Sequence, residues 1–250
     1  MPSRLPAGVL AIFLALTIGS SASYAADLQV TSAAANSGSF GLEVDTSIFP
    51  DAWLEDETPV AETIYSARFY LNVVSAGGAV EIFRVFSGGD VVVAAIEVTS
   101  ETHIRVTAWT DDGSTLTGTY AIAAGWNSIE INWQASSGLA AEDGEVAVGT
   151  NGVRQTGISS LDNDTHRVEY VRLGAFPLAE PFGQMAIDDF DSRRSLNIGP
   201  LPAPGIRQPD PDLIFADGFE SGDIGAWSST GTPVKPATWG SIKALYPGTD

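Results

Sequence analysis

The chain is patterned as a series of short β-strands separated by turns. Runs rich in Val, Ile, Thr, Tyr, Phe and Trp recur from Leu28 to about Arg194, and several alternate apolar with polar residues, as Ala67, Phe69 and Leu71 do. Turn sequences such as Gly88-Gly89-Asp90 lie between the runs, often about 8–12 residues apart, which is typical of a sandwich or barrel. No stretch shows a convincing helical period. The pattern predicts an antiparallel all-β fold with about ten strands, at residues 39–44, 64–74, 80–86, 91–98, 104–109, 117–123, 127–133, 146–150, 167–173 and 185–190.

The first 26 residues have the features of a secretory signal peptide. Arg4 supplies a positive start, residues 9–18 are almost entirely apolar, and Ser23-Tyr24-Ala25 fits the small-x-small cleavage rule. This apolar run is too short to span a bilayer, which takes about 20 residues, and no later stretch approaches that length. We therefore expect a bacterial protein that is secreted or periplasmic, without a transmembrane segment after signal cleavage.

The remaining chain divides into a main domain, a linker and a C-terminal segment. Residues 27–195 carry the strand pattern, and residues 196–212 contain five prolines, which break sheet ladders and predict a linker. Residues 213–250 are too few to bury a core of their own without staples. This segment is aromatic, so we expect it either to dock or to serve as an attachment tail; its aromatic residues are Phe215, Phe219, Trp227, Trp239 and Tyr246.

The composition excludes several classes of function. There is no cysteine, so disulfides, thiolate metal sites and a lipid-modified cysteine are excluded. With 31 acidic and 12 basic residues, the net charge of −19 argues against binding nucleic acid or anionic membranes by charge attraction. The acidic balance is compatible with calcium, with cationic partners, or with solubility alone.

Candidate catalytic groups are sparse, so we predict that the chain is not an enzyme. His103 and His166 lie away from any nucleophile motif, and no Gly-x-Ser-x-Gly sequence occurs. Glycoside hydrolysis needs two carboxylates across a cleft. The nearest match, residues 188–191 (DDFD), has no glutamate, and Glu130 is isolated.

Three stretches carry a resemblance to a known superfamily. Residues 30–44 (VTSAAANSGSFGLEV), 124–133 (AGWNSIEINW) and 185–191 (MAIDDFD) resemble the opening, central and closing strands of concanavalin A-like or LamG-like jelly-roll modules of secreted bacterial proteins. The resemblance implies a jelly-roll β-sandwich over residues 27–195, a fold that hosts many functions.

The C-terminal segment carries a second resemblance. Residues 213–228 (LIFADGFESGDIGAWS) are similar to a segment that often begins such modules and that also recurs near the C-termini of exported proteins. Two alternatives follow. The segment is a sorting or attachment tail, or it packs back as the first strand of the preceding sandwich.

Calcium is the cofactor that the resemblance implies. In LamG-like modules a closing-strand aspartate joins a glutamate of the Phe-Glu segment at a structural calcium, and the matching residues are Asp188 or Asp189 with Glu220. Adjacent strand positions point to opposite faces, so we expect only one of the two aspartates on the core face. The alternative is a solvated acid pair. A second oxygen cluster, residues 162–164 (DND), lacks the glycine and distal glutamate of an EF-hand loop and predicts a plain turn.

Exposed aromatic residues are the candidate ligand-binding groups, because sugar rings stack on aromatic faces. The candidates are Trp53, Tyr65, Tyr70, Trp109 and Tyr120, with core packing as the alternative for each. The sequence thus predicts an exported non-catalytic module that binds a polysaccharide or a cell-surface component. The alternatives are a surface-attached structural protein with a sorting tail, and a polysaccharide-acting enzyme with an unrecognised carboxylate pair.

Overall fold

The computed structural model describes residues 27–46, 52–139, 141–176, 182–199, 201 and 210–230. The predicted signal peptide, residues 202–209 of the predicted linker and residues 231–250 lie outside the described residues. The described residues contain no helix with the length and apolar composition that crossing a membrane requires.

Two antiparallel sheets pack face to face, which confirms the predicted all-β sandwich. The first sheet has the strand order β1-β2-β14-β4-β9-β10-β11, with β12 paired to β10 and β15 paired to β14. The second sheet has the order β16-β3-β13-β5-β6-β7-β8. The strands are β1 (Asp27–Thr31), β2 (Gly41–Asp45), β3 (Ala52–Asp56), β4 (Ile64–Ala76), β5 (Val80–Ser87), β6 (Val91–Ser100), β7 (His103–Trp109), β8 (Thr115–Ala121), β9 (Trp126–Gln134), β10 (Gly144–Thr150), β11 (Val153–Arg154), β12 (Ile158–Leu161), β13 (Tyr170–Ala175), β14 (Gly183–Arg193), β15 (Leu213–Asp217) and β16 (Ser229–Thr230).

The core follows from period-two alternation along the strands. On β9, Ile129, Ile131 and Trp133 are fully buried between the sheets. Glu130 and Asn132 lie on the opposite face of the same strand, which is the outer face of the first sheet. The strand therefore presents apolar side chains to the core and polar side chains to the outside, as its sequence predicts.

Residues 213–230 of the C-terminal segment pack on the sandwich. β15 pairs with the last part of β14, where Phe190 lies opposite Asp217, while the earlier part of β14 pairs with β2. β16 pairs with β3, so the segment adds a strand to each sheet. Phe219 is 0% exposed and Trp227 is 6% exposed, and both join the core beside Phe190. The described part of the segment therefore completes one end of the sandwich.

Candidate functional site

A break in strand β14 lets two adjacent carboxylates of that strand contact the same loop. β14 shifts register after Asp188, and Asp189 has a φ of +53°, a left-handed conformation that interrupts the strand alternation. Both side chains therefore contact residues 36–37, whereas the sequence predicted opposite faces for them. The expectation that the two side chains point to opposite faces was wrong, because it assumed an unbroken strand.

Both carboxylates are buried and accept several hydrogen bonds. Asp188 is 0% exposed, and its Oδ2 accepts the backbone N–H groups of Asn36 at 2.7 Å and Ser37 at 3.0 Å. Asp189 is 5% exposed and accepts Nδ2 of Asn36 at 3.1 Å and Oγ of Ser37 at 2.9 Å. Loop 36–37 thus holds the two acids in fixed positions.

Glu220 reaches the same loop from the C-terminal segment. Its carboxylate accepts the backbone N–H of Ser39 at 2.9 and 3.0 Å. Gly38 makes this approach possible, because a Cβ at that position would stand 2.1 Å from Oε1 of Glu220. The structure therefore brings Asp188, Asp189 and Glu220 to one loop, although they are not among the described carboxylates that lie within 4.8 Å of one another.

Burial dominates the electrostatics of this loop. Desolvation raises the pKa of Asp188 to about 6, against the opposing effect of the N–H groups of Ser37 and Asn36. Among the described residues, no ion pair includes Asp188, Asp189 or Glu220. Such a group of acids favours either a proton or a cation as a partner.

The outer face of the second sheet carries a row of aromatic and charged side chains. The Arg172 guanidinium on β13 lies 4.1 Å from the ring centroid of Trp53 on β3, and its Nε donates to Oε2 of Glu55 at 2.6 Å. Tyr170 stacks on Phe86 of β5, with ring centroids 4.5 Å apart and planes 8° apart. We call these five residues the Trp53 row. Trp53 and Tyr170 remain partly exposed, so the row offers aromatic surface to solvent.

Sequence reasoning found only Trp53 in this row. The others were missed because the row forms across three strands, and single-chain alternation does not show which strands are neighbours. The available signal was the alternation of Tyr170 and Arg172 with the apolar residues of β13. The register of β13 with β3 then places Arg172 opposite Glu55.

The other predicted aromatic residues lie in different places. Tyr65 is 0% exposed and Tyr120 is 8% exposed; both belong to the core, so neither ring face is available to a sugar. Tyr65 shares the inward face of β4, and the hydroxyl of Tyr120 donates to the carbonyl of Thr156 at 2.9 Å. Tyr70 is partly exposed and accepts the N–H of Leu201 at 3.4 Å. Trp109 is partly exposed at the end of β7, so it and Trp53 are the predicted tryptophans that keep accessible surface.

The outer face of the first sheet carries two carboxylates on either side of a buried arginine. Arg68 lies opposite Glu130 in the β4–β9 register and opposite Asp191 in the β4–β14 register. An oxygen of Asp191 lies 3.3 Å from the guanidinium of Arg68 and 2.8 Å from that of Arg193. Asp191 therefore forms ion pairs with two arginines of the same chain.

Residues 195–199, which we call the strap, cross this face. Glu130 accepts the N–H groups of Ile198 at 2.8 Å and Gly199 at 2.9 Å. Arg68 donates to the carbonyl of Gly199 at 2.9 Å, and Asn132 accepts the N–H of Asn197 at 2.7 Å. A cavity of about 270 Å³ remains beside the strap. It is lined by Glu130, Asn132, Val148, Gly149, Gly152, Arg154, Asn197 and Gly199. The strap therefore donates hydrogen bonds to the carboxylate of Glu130, which also lines this cavity.

Comparison with known proteins gives a fold but no family. No family model matches the sequence, and no curated protein matches it. Among solved structures, the cellulose induced protein Cip1 is similar with a TM-score of 0.52 and 14% identity, over 69% of this chain and 87% of that chain. This likeness supports the sandwich fold and nothing finer.

Binding domains of botulinum neurotoxins are also similar, at lower structural agreement. The type G receptor-binding domain has a TM-score of 0.40 and 12% identity, over 68% of this chain and 47% of that chain. The serotype D/C binding domain has a TM-score of 0.49 and 12% identity, over 68% of this chain and 43% of that chain. This chain spans less than half the length of these binding domains.

Proposed function

We propose that this chain is an exported, non-catalytic module that binds a polysaccharide or a cell-surface glycan through the Trp53 row. The observation that carries the proposal is the partly exposed indole of Trp53, held by Arg172 on the outer face of the second sheet. The face of a sugar ring is apolar while its rim is polar, so an aromatic ring beside charged groups suits it. A side chain that is already fixed loses little conformational entropy on binding.

The polar members of the row support the same function. The ion pair of Arg172 and Glu55 lies beside the indole and offers N–H donors and carboxylate acceptors for sugar hydroxyl groups. On the first sheet, Asp191 and Glu130 are hydrogen-bonded within the protein, which argues against the free carboxylate pair that glycoside hydrolysis requires. A binding function therefore fits the two outer faces better than hydrolysis does.

We also propose that Asp188, Asp189 and Glu220 hold a structural calcium ion. Calcium takes carboxylate and carbonyl oxygens in flexible geometry. The three acids do not all lie within 4.8 Å of one another, so they would have to move closer together around the loop to share one ion. When bound, the ion would supply positive charge to two buried carboxylates that lack an ion-pair partner among the described residues. It would also join the C-terminal segment to the sandwich through Glu220.

Retention on insoluble polysaccharides tests the glycan proposal. Mature protein is incubated with cellulose, xylan, chitin and peptidoglycan, and the bound fraction is measured against polymer concentration. Wild type is expected to be retained on at least one polymer, and Trp53→Ala to bind it about tenfold more weakly, because the stacking surface is lost. Trp109→Ala is the matched control. Trp109 is also partly exposed, but it lies on β7, toward the opposite edge of the second sheet from β3.

Two results would contradict the proposal. Wild type that is retained on none of the polymers would favour the structural, surface-attached alternative. Retention that survives Trp53→Ala but is lost in Trp109→Ala would place the ligand elsewhere on the sheet. Melting curves of both variants show whether a lost interaction reflects the binding face or an unfolded protein.

A further inference from the structure

The described strands of the second sheet contain three arginines and no lysine, and each arginine pairs with a glutamate. The pairs are Arg172 with Glu55, Arg84 with Glu81, and Arg105 with Glu97. In the first two pairs, Nε of the arginine donates to a glutamate oxygen at 2.6 Å. On these strands, therefore, every arginine has its charge compensated within the protein.

Arg172 is enclosed on its faces as well as paired at its edge. Its guanidinium carbon lies 4.1 Å from the ring centroid of Trp53, 4.8 Å from that of Phe86 and 5.2 Å from that of Tyr170. Its side chain is 24% exposed, and the side chain of Glu55 is 9% exposed. A guanidinium that is surrounded by rings and paired with a carboxylate holds the Trp53 row together and offers little uncompensated charge to a ligand.

A second arginine stands directly opposite Arg172. Arg84 on β5 is its partner in the β13–β5 register. Two bare arginines at opposed positions of a sheet would repel each other and would attract an anion between them. Each is instead neutralised by its own glutamate, and the guanidinium of Arg84 also lies 4.5 Å from the ring centroid of Phe176. Two arginines and two glutamates thus leave this part of the sheet without net charge.

The charge of the whole chain acts in the same direction. With 31 acidic and 12 basic residues, the chain has a net charge of −19. A polymer that carries carboxylate or sulfate groups is repelled by such a protein at low ionic strength, unless a local cation attracts it. Sugar hydroxyl groups, in contrast, can hydrogen-bond to an arginine and a glutamate that are already paired with each other.

We infer that the Trp53 row selects uncharged sugar polymers, and that Glu55 is the residue that determines this specificity. The inference rests on the proposed glycan-binding function and narrows its substrate class. Glu55 cancels the charge of Arg172 beside the indole, so a neutral pyranose ring can stack there without leaving a charge unpaired. A sugar ring with a carboxylate would instead bring a negative charge close to Glu55.

Matched forms of one polymer test this specificity. Cellulose, arabinoxylan and chitin are each compared with a carboxymethylated form, crosslinked so that it stays insoluble, and with a hydroxyethylated form that controls for the size of the substituent. Retention of the mature protein is measured at low ionic strength, where charge effects are least screened. Wild type is expected to bind the neutral polymer that retains it about tenfold more tightly than its carboxymethylated form, because the carboxylates meet like charge. Salt at about 1 M is expected to reduce this preference.

Glutamine variants identify the residue responsible. Glu55→Gln keeps an oxygen that can accept from Arg172 but leaves the guanidinium charge uncompensated, so the preference for the neutral form is expected to fall about threefold or more. A purely structural role of Glu55 would weaken binding to both forms alike and leave the preference unchanged. Glu97→Gln is the matched control, since it removes the same charge from an ion pair between β6 and β7, and it is expected to keep the wild-type preference. Glu81→Gln, which frees Arg84, provides the same readout if Glu55→Gln fails to fold.

The outcomes separate this inference from the proposed function. Wild type that binds a carboxymethylated polymer as well as the neutral one, or the hydroxyethylated form as weakly as the carboxymethylated one, would keep the glycan function and overturn the charge selectivity. Wild-type preference in both Glu55→Gln and Glu81→Gln would overturn the role of the ion pairs. Wild type that none of the polymers retains would contradict the proposed function, and the inference with it.

Discussion

The backbone N–H of Ser39 is shared between the two carboxylate oxygens of Glu220, across a sequence separation of 181 residues. This contact joins the C-terminal segment to the loop that also holds Asp188 and Asp189. The described part of the C-terminal segment thus packs against a loop that follows the first strand of the sandwich. The link makes the stability of the sandwich depend on residues far from its first strand.

Glu220→Gln is expected to reduce the calcium-dependent rise in melting temperature. The glutamine keeps an oxygen that can accept from Ser39 but removes the charge that would bind the ion. The measurement is a thermal melt of mature protein in calcium and in chelator. Glu101→Gln, at an exposed turn, is the control and is expected to respond to calcium as wild type does. An unchanged calcium response in Glu220→Gln would remove Glu220 from the site.

Phe219→Ala is expected to destabilise the protein by about 3–5 kcal/mol, because it leaves a cavity beside the stacked ring of Trp227. Urea denaturation monitors the free energy of unfolding. Val60→Ala is the control, since Val60 is 75% exposed and its replacement is expected to change stability by less than about 0.5 kcal/mol. A loss below about 1 kcal/mol for Phe219→Ala would show that the C-terminal segment contributes little to the core.

The raised pKa of Asp188 predicts a specific pH dependence in the presence of chelator. The ordinary pKa of 3.8 rises to about 6 in the folded protein, so folding favours the protonated form. The contribution of Asp188 to stability therefore falls as pH rises from about 4 to about 6 and is level above that, by about 3 kcal/mol in total. Desolvation also raises the pKa of the buried Asp56 and of the partly buried Asp217, so both contribute in the same direction.

Comparison with Asp188→Asn isolates this residue from the other acids. The stability of the variant relative to wild type is expected to rise by about 3 kcal/mol between pH 4 and pH 7, when urea midpoints are measured in chelator. Calcium at pH 7 is expected to reduce that difference, because the ion binds the deprotonated carboxylate. A difference that stays constant with pH would contradict the raised pKa.

Glu130→Ala is expected to release the strap from the first sheet. The carboxylate accepts both the Ile198 and the Gly199 N–H groups, and a hydrogen bond to a charged group contributes about 1.5–3 kcal/mol. Hydrogen exchange at these two amides is expected to accelerate, while the amides of β6 are unchanged. Glu97→Gln, on β6 of the second sheet, is the control. Protection of Ile198 and Gly199 that survives in Glu130→Ala would mean that other contacts hold the strap.

Much of the fold follows from the sequence because ten runs are rich in strand-forming residues and several of them alternate apolar with polar residues. β3 was missed because two acidic residues, Glu55 and Asp56, are buried on it and disturb the apolar pattern. The sequence left two alternatives for the segment that contains β15, docking or attachment. They could not be separated because its partner strand, β14, lies on the other side of a proline-rich stretch. Local pattern thus predicts strands but not the pairing of distant segments.

The candidate sites depend on structural features that the sequence predicts only in part. Asp188, Asp189 and Glu220 follow from a resemblance, but the bulge that turns both aspartates to one loop depends on the conformation of Asp189. The pairing of Arg172 with Glu55 depends on which strands become neighbours in the second sheet. Contacts of this kind require the register and packing of the whole sandwich.

The most direct test of the account follows the indole N–H signals of the tryptophans by nuclear magnetic resonance. Labelled mature protein is titrated with soluble oligosaccharides cut from whichever polymer retains it, and Trp53→Phe assigns the Trp53 signal. We expect the Trp53 signal to move with saturation, while the signals of Trp109 and the buried Trp133 stay in place. Saturable binding that leaves the Trp53 signal unmoved would contradict the Trp53 row as the binding face.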